Sequence, residues 1–304
     1  MNSLSIGQKA NAKINLYLHV TGKRDDGYHT LDSLVVFADI GDNINVKLND
    51  HGTERGTERG NEIVLSVTGP FAKEIPSGED NLVIRAAKFL QQRYSIHPSA
   101  HISLEKNLPP ASGIGGGSAD AAATIRALAG LWQIDLSQEN ETEFNKILAR
   151  ELGADVPVCL KNQNVFMGGI GEIFIPAPAL PPFWMVLVNP GCRVSTPEVF
   201  SGRKGAFSKS AVFNEHPANL GELIQIISRL DNDLFASAVE LAPEIRDVIS
   251  ALEKLDGALL ARMSGSGATC FAIFASADSA RAGARQIADK YPHWWAQSAP
   301  ATPP

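Results

Sequence analysis

Four stretches of this sequence combine residue types and spacing that chemistry could use. Between Leu108 and Ser118 the chain reads Leu-Pro-Pro-Ala-Ser-Gly-Ile-Gly-Gly-Gly-Ser. Glycines at 113, 115, 116 and 117 open backbone conformations closed to other residues and let N–H groups converge on an anion. The Ala-rich run from Ala119 to Trp132 predicts a helix directly behind them, adding unpaired N–H donors and a positive dipole end. Ser118 can cap that helix or donate to a phosphate oxygen. The segment lacks the Gly-Lys-Ser/Thr of a Walker loop, and a dinucleotide fingerprint would need glycine where Ser118 stands. A flexible loop before a helix cap is the alternative. Asp155, in Asp155-Val156-Pro157, is either a reacting carboxylate or a helix N-cap with proline in the first turn. Lys13 and Asn15 share one face of a strand, where a lysine either serves a site or is simply solvated. Ser264-Gly265-Ser266-Gly267-Ala268-Thr269 either turns N–H groups toward the same anion or closes a tight hairpin.

These residues need elements to position them. Residues 12–20 alternate cleanly, with Ile14, Leu16, Leu18 and Val20 on one face and Lys13, Asn15, Tyr17 and His19 on the other. That pattern predicts a half-buried strand with a polar face. A second apolar strand is predicted near 34–40, others near 101–104, 183–188, 258–262 and 269–275. Helices are predicted at 82–92 (Asp80 or Asn81 as N-cap), 138–152 (stopped by Gly153), 219–230, 234–241, 244–256 and 279–290. The tandem Gly-Thr-Glu-Arg repeat at 52–59 is polar and without periodicity, which predicts an exposed loop.

Length and composition bound the reading. At 304 residues the chain is about two typical domains long. With 27 Lys+Arg against 33 Asp+Glu the net charge is -6, and the acidic excess lies mostly in the first 160 residues. A nucleic-acid surface is therefore disfavoured. No apolar run approaches a bilayer span and the N-terminal residues show no secretory pattern, so no membrane partner is expected. Cys159, Cys192 and Cys270 stand far apart with no metal or disulfide spacing, which suits core residues in a cytoplasmic protein.

Taken together, Ala12-Lys13-Ile14-Asn15-Leu16, Gly27-Tyr28-His29-Thr30-Leu31, the glycine loop, Gly153-Ala154-Asp155-Val156-Pro157 and Ser264-Gly265-Ser266-Gly267-Ala268 resemble the signature motifs of the GHMP kinase superfamily. Galactokinase, homoserine kinase and mevalonate kinase are members. The segments are closely similar to the branch whose acceptor is 4-diphosphocytidyl-2-C-methyl-D-erythritol, phosphorylated on its 2-hydroxyl in the non-mevalonate isoprenoid route. The resemblance implies an α+β, two-domain GHMP kinase fold. Residues 1–160 would form an N-terminal α/β ATP-binding domain (ribosomal protein S5 domain 2-like). Residues 161–296 would form a ferredoxin-like α+β domain, and 297–304 a disordered tail. It also implies ATP as phosphoryl donor, held by Pro109, Pro110, Ala111, Ser112, Gly113, Ile114, Gly115, Gly116, Gly117 and Ser118, with Gly265, Gly267 and, near the adenine, Asn81. Asp155 would be the base and Lys13 its cationic partner near the acceptor oxygen. Tyr28 and Phe200 would sandwich the cytosine, His29 read its polar edge, Thr196 contact the substrate, and Asn15 hold the acceptor hydroxyl or a phosphate. Magnesium is expected with ATP, its protein ligands open, with Ser118 the one hydroxyl nominated. The partner is a small molecule, and either a monomer or a homodimer fits. Val35 departs from the pattern, standing where an aromatic often follows the Tyr-His pair. A homoserine- or mevalonate-type kinase, or a nucleotide-binding module without turnover, are the competing readings.

Overall fold

The computed structural model describes residues 4–48, 62–96 and 99–302; the 52–59 repeat lies outside them. The chain forms two compact units, each drawn from three stretches. One takes residues 1–11, 41–110 and 116–161, the other 12–40, 111–115 and 162–304, a division different from a single cut at 160. Strands β1 (Ser5–Asn15) and β3 (His29–Lys47) contribute to both, and β2 (His19–Lys23) belongs to the second.

In the first unit the end of β3 pairs antiparallel with β5 (Ala100–Glu105), from Asn43 opposite Glu105 to Lys47 opposite His101. Strand β4 (Ile63–Thr68) pairs parallel with β5. Helix α1 (Leu82–Arg93) starts at Asn81, whose Oδ1 accepts the Val83 N–H at 2.8 Å, so the predicted N-cap is the asparagine. Its apolar stripe, Val83, Ile84, Ala87 and Leu90, packs on α2 (Gly116–Trp132), where a row of alanines permits close approach. Helix α3 (Glu141–Leu152) ends at Gly153, whose φ of +124° few side chains tolerate. The short α4 (Val156–Lys161) follows.

In the second unit β3 pairs with β2 and with β6 (Val165–Gly169), which pairs with β7 (Ile173–Pro176). After β8 (Trp184–Asn189) come α5 (Thr196–Gly202), α6 (Leu220–Ile227), α7 (Phe235–Leu241), α8 (Glu244–Glu253), β9 (Leu260–Met263), β10 (Cys270–Phe274), α9 (Ala277–Lys290) and β11 (Trp295–Pro300). The four strands form an antiparallel sheet in the order β11-β8-β10-β9, the ferredoxin-like arrangement. Its core joins Val186 and Val188 of β8, Ala272 and Phe274 of β10, Ile245 and Val248 of α8 and Ile287 of α9. Among the described residues, no helix is long and apolar enough to cross a membrane.

Two expectations are corrected. The segment read as a disordered tail from 297 pairs with β8 through Pro300, Ala296 opposite Val188 and Ala299 opposite Met185. Thr302 then donates its N–H to the Phe37 carbonyl at 2.8 Å. Backbone pairing, which needs no apolar alternation, holds it. Nor is the 12–20 segment a half-buried strand: it breaks between β1 and β2, and Lys13, Asn15, Tyr17 and His19 are all buried. Internal partners take the place of water. Tyr17 donates to Asp32 at 2.6 Å, Asn15 to Ser33 at 2.7 Å, and His19 Nδ1 lies 2.9 Å from the Lys209 carbonyl. Burial, reinforced by the hydrogen bond to Asp32 and its charge, pushes the Tyr17 hydroxyl far above its ordinary pKa.

Candidate active site

In the second unit the two glycine turns are packed backbone against backbone. Gly113 has φ +76°, and a Cβ there would lie 2.5 Å from the Gly267 carbonyl oxygen and 2.7 Å from that of Ser264. Gly265 has φ +55°, and its Cβ would meet the Gly113 oxygen at 2.6 Å. Only glycine satisfies either position. Along the loop positive φ recurs at Ala111 (+50°), Gly113 and Gly115 (+65°), with residues of ordinary sign between them. Alternation of that kind turns successive N–H groups toward one side and builds an anion-binding concavity.

Hydrogen bonds tie the loop to the strand that carries Lys13. The Lys13 N–H donates to the Ile114 carbonyl at 3.0 Å, and the Thr269 N–H to Ser112 O at 3.0 Å. Ser264 Oγ accepts the Asn15 N–H at 3.1 Å and donates to Gly113 O at 3.3 Å. Ser266 Oγ is 2.7 Å from Thr196 Oγ1, which brings a residue of the substrate-side set to the second turn. Asn15 gives its amide N–H to Ser33, whose own hydroxyl donates to Tyr17 O at 2.5 Å. The Asn15 Oδ1 is buried and accepts no hydrogen bond among the described residues.

Elsewhere in this unit an aromatic group gathers. The His29 ring stacks on Phe200, centroids 5.4 Å apart at 23°. Tyr28 is 62 % exposed, at the end of a turn closed by the Arg24 N–H on Tyr28 O at 2.8 Å. Desolvation, with the positive charges of Lys23 and Arg203, lowers the His29 pKa. The imidazole is thereby kept neutral at pH 7, one nitrogen a donor and the other an acceptor. Val35 is fully buried opposite Val165.

The first unit carries Asn81, Pro109, Pro110, Gly116, Gly117, Ser118 and Asp155. Asn81 is engaged on both sides, its Nδ2 donating to Pro76 O at 2.6 Å while Oδ1 caps α1. Asp155 immediately precedes α4, and its carbonyl accepts the Cys159 N–H at 3.1 Å. Arg126 of α2 fixes that short helix from its other end, donating to Cys159 O at 2.9 Å and Leu160 O at 3.3 Å.

Sequence reasoning missed a buried charge cluster beside the start of α2. Lys106 Nζ contacts Asp42 Oδ2 at 2.5 Å and Asp120 Oδ2 at 2.6 Å, all three side chains being almost wholly buried. Asp42 Oδ1 also accepts the N–H groups of Asn107 at 2.5 Å and Leu108 at 2.8 Å, which sets the chain's entry into the glycine segment. A Cβ on Gly116 would lie 3.2 Å from the Lys106 ammonium. Burial, with the charge of Asp42 adding, pushes the Asp120 carboxyl up to about 8. Burial works against the Lys106 ammonium as well, but the two carboxylates outweigh it and raise its pKa. When Asp120 is protonated, the proton belongs on Oδ1, since Oδ2 accepts from Lys106 and Oδ1 has no partner among the described residues.

Comparison with known proteins sets the class. Residues 81–163 match the GHMP kinases N terminal domain and residues 208–293 the GHMP kinases C terminal domain. The chain is 46% identical to 4-diphosphocytidyl-2-C-methyl-D-erythritol kinase of Rhodospirillum rubrum, over 97% of this chain and 92% of that protein. It is 48% identical to the enzyme of that name from Cereibacter sphaeroides, over 95% and 97%. A crystal structure of 4-(cytidine 5'-diphospho)-2C-methyl-D-erythritol kinase superposes with TM-score 0.74 at 30% identity, covering 98% of this chain and 100% of that one. Homoserine kinase from Cytophaga hutchinsonii, at 18% identity and TM-score 0.69, shares the fold, with 98% of this chain and 95% of that one covered. The chain belongs to the 4-diphosphocytidyl-2-C-methyl-D-erythritol kinase family of GHMP kinases.

Proposed function

We propose that this protein transfers the γ-phosphoryl group of ATP to the 2-hydroxyl of 4-diphosphocytidyl-2-C-methyl-D-erythritol, giving the 2-phosphate and ADP. The observation that carries the reading is near-full-length similarity, at 43% identity or better, to kinases named for that substrate. A cytoplasmic location is part of the proposal, argued from three cysteines that stand far apart in the sequence with no disulfide or metal spacing.

The roles follow the resemblance and the chemistry of each group. The loop from Pro109 to Ser118 and the turn with Gly265 and Gly267 present backbone N–H groups to the triphosphate, so anion binding needs no basic patch. Asp155 orients the acceptor hydroxyl and takes its proton, and Lys13 offsets charge on the acceptor oxygen and the γ-phosphate. A loose phosphoryl-transfer transition state asks little deprotonation early, so Asp155 works as much by orienting the hydroxyl as by taking its proton. The orphaned Asn15 Oδ1 is an acceptor, which suits a substrate hydroxyl rather than a phosphate oxygen. His29 covers one face of Phe200, so a cytosine stacking on Phe200 uses the other, with Tyr28 as the second aromatic. Among the described residues no group of three His, Cys, Asp or Glu side chains could hold a metal, so no protein ligand is assigned to the magnesium that accompanies ATP.

The test is coupled ADP release with the cytidyl substrate beside homoserine and mevalonate. Turnover with the first alone is the expected result; background rates with it reject the proposal. In the same assay Asp155→Ala lowers kcat on the order of 10²–10⁴-fold with a modest change in KM. Near-full turnover of that variant removes Asp155 from the base role.

A further inference from the structure

Asn232 and Asp233 lie in the short connection between α6 and α7, and nothing in the sequence patterning singles them out. Their side chains face different parts of the second unit. The Asn232 amide donates to Met263 O, at the end of β9, at 2.9 Å and to Gly265 O, in the second glycine turn, at 2.8 Å. Its Oδ1 accepts the Leu234 N–H at 3.0 Å, so the buried side chain is fully engaged. Gly265 is the residue that touches Gly113 backbone to backbone, so Asn232 holds the turn on which the phosphate loop rests.

Asp233 works on the aromatic side. Its Oδ2 accepts the Val20 N–H at 2.7 Å and its Oδ1 the Ser208 hydroxyl at 3.0 Å. The Arg203 guanidinium is 3.7 Å from Oδ2. Val20 lies on β2, which with β3 flanks the Tyr28-His29 turn, Lys23 standing opposite His29. Arg203 follows α5, its N–H donating to the carbonyl of Phe200 at 3.3 Å. The dipeptide is pinned to the same strand segment: Leu18 donates to Asp231 O at 3.0 Å and accepts from the Asp233 N–H at 2.8 Å.

We propose that Asn232 and Asp233 are paired positioning residues, Asn232 setting the phosphate-side turn and Asp233 the aromatic wall that takes the base. The inference rests on the functional reading above for which ligand belongs to which side. It makes two adjacent side chains govern two different ligands, which a general loss of stability cannot imitate.

Asn232→Asp keeps the shape but replaces both donors by an acceptor facing two carbonyls. Asp233→Ala removes the acceptor of both the Val20 N–H and the Ser208 hydroxyl. Steady-state kinetics with ATP and the cytidyl substrate, and calorimetric titration with ATP and with CDP, are measured for both variants and the wild type. Loss of one or two buried hydrogen bonds corresponds to about 10-fold in the affected constant. Asn232→Asp is expected to weaken ATP by that factor and leave CDP within about twofold; Asp233→Ala does the reverse. Equal losses for both ligands in both variants, or no loss in either, overturn the proposal. If a variant does not fold, as judged by circular dichroism, Asn232→Ser and Ser208→Ala replace the two and are read by the same criteria. Should wild-type protein bind both nucleotides yet not turn over the cytidyl substrate, the functional reading fails while the binding data still decide the positioning roles.

Discussion

Two regions hold the glycine segment by opposite means. Where it enters and leaves the first unit, the anchor is charge: Lys106 between Asp42 and Asp120, sealed from water. In the second unit the anchor is neutral, two glycine turns in backbone contact and pinned by Ser264 and Asn15. Buried charge is strong only while every partner is present, and its balance changes with protonation. A backbone knot is indifferent to pH but intolerant of a single added methyl group.

The comparison is most severely tested by Lys106→Met. It leaves two carboxyl groups facing each other without a cation, and a loss of about 3–5 kcal/mol is expected in denaturant unfolding. A loss below about 1 kcal/mol would show that the cluster is no anchor. Next comes Gly113→Ala, expected to cost about 3 kcal/mol from overpacking and a disfavoured φ together. Gly116→Ala probes the other region: its Cβ would lie 3.2 Å from the Lys106 ammonium, which the two carboxylates hold in place, and the expected cost is about 1 kcal/mol. Similar costs for the two alanines would erase the contrast between the regions.

The smallest effect is the most specific. A carboxyl whose pKa is raised on folding contributes stability that is full below its unfolded value and lost as pH rises through the folded value, here about 8. Asp120→Asn imitates the protonated form. Relative to wild type it should gain about 1 kcal/mol or more between pH 6 and pH 9, read as a convergence or crossing of the two Tm curves. Parallel curves would mean that Asp120 is not the titrating member. A Gly113→Ala variant should show no such pH-dependent difference from wild type.

Local rules revealed a good part of this fold. Asn81 as a cap, Gly153 as a stop and the glycine turns all follow from neighbouring residues. The polar face of 12–20 was legible as a face but not as buried, because its partners Asp32, Ser33 and Lys209 come from other elements. β11 has no apolar alternation and is a strand only because β8 offers an open edge. Lys106, Asp42 and Asp120 are farther apart in sequence than any local pattern reaches, and a lysine between Glu105 and Asn107 reads as solvated. The paired tasks of Asn232 and Asp233 are equally invisible without β2 and β9 beside them.

The interleaved path of the chain has a consequence for inheritance. A gene divided after codon 161 would encode every stretch of the first unit in one fragment. The other fragment would lack residues 12–40 and 111–115, and with them Val20, the partner of Asp233, and Gly113, the partner of Gly265. Only one of the two units can therefore be moved by a single recombination event, and the knot of glycine turns travels with neither half alone.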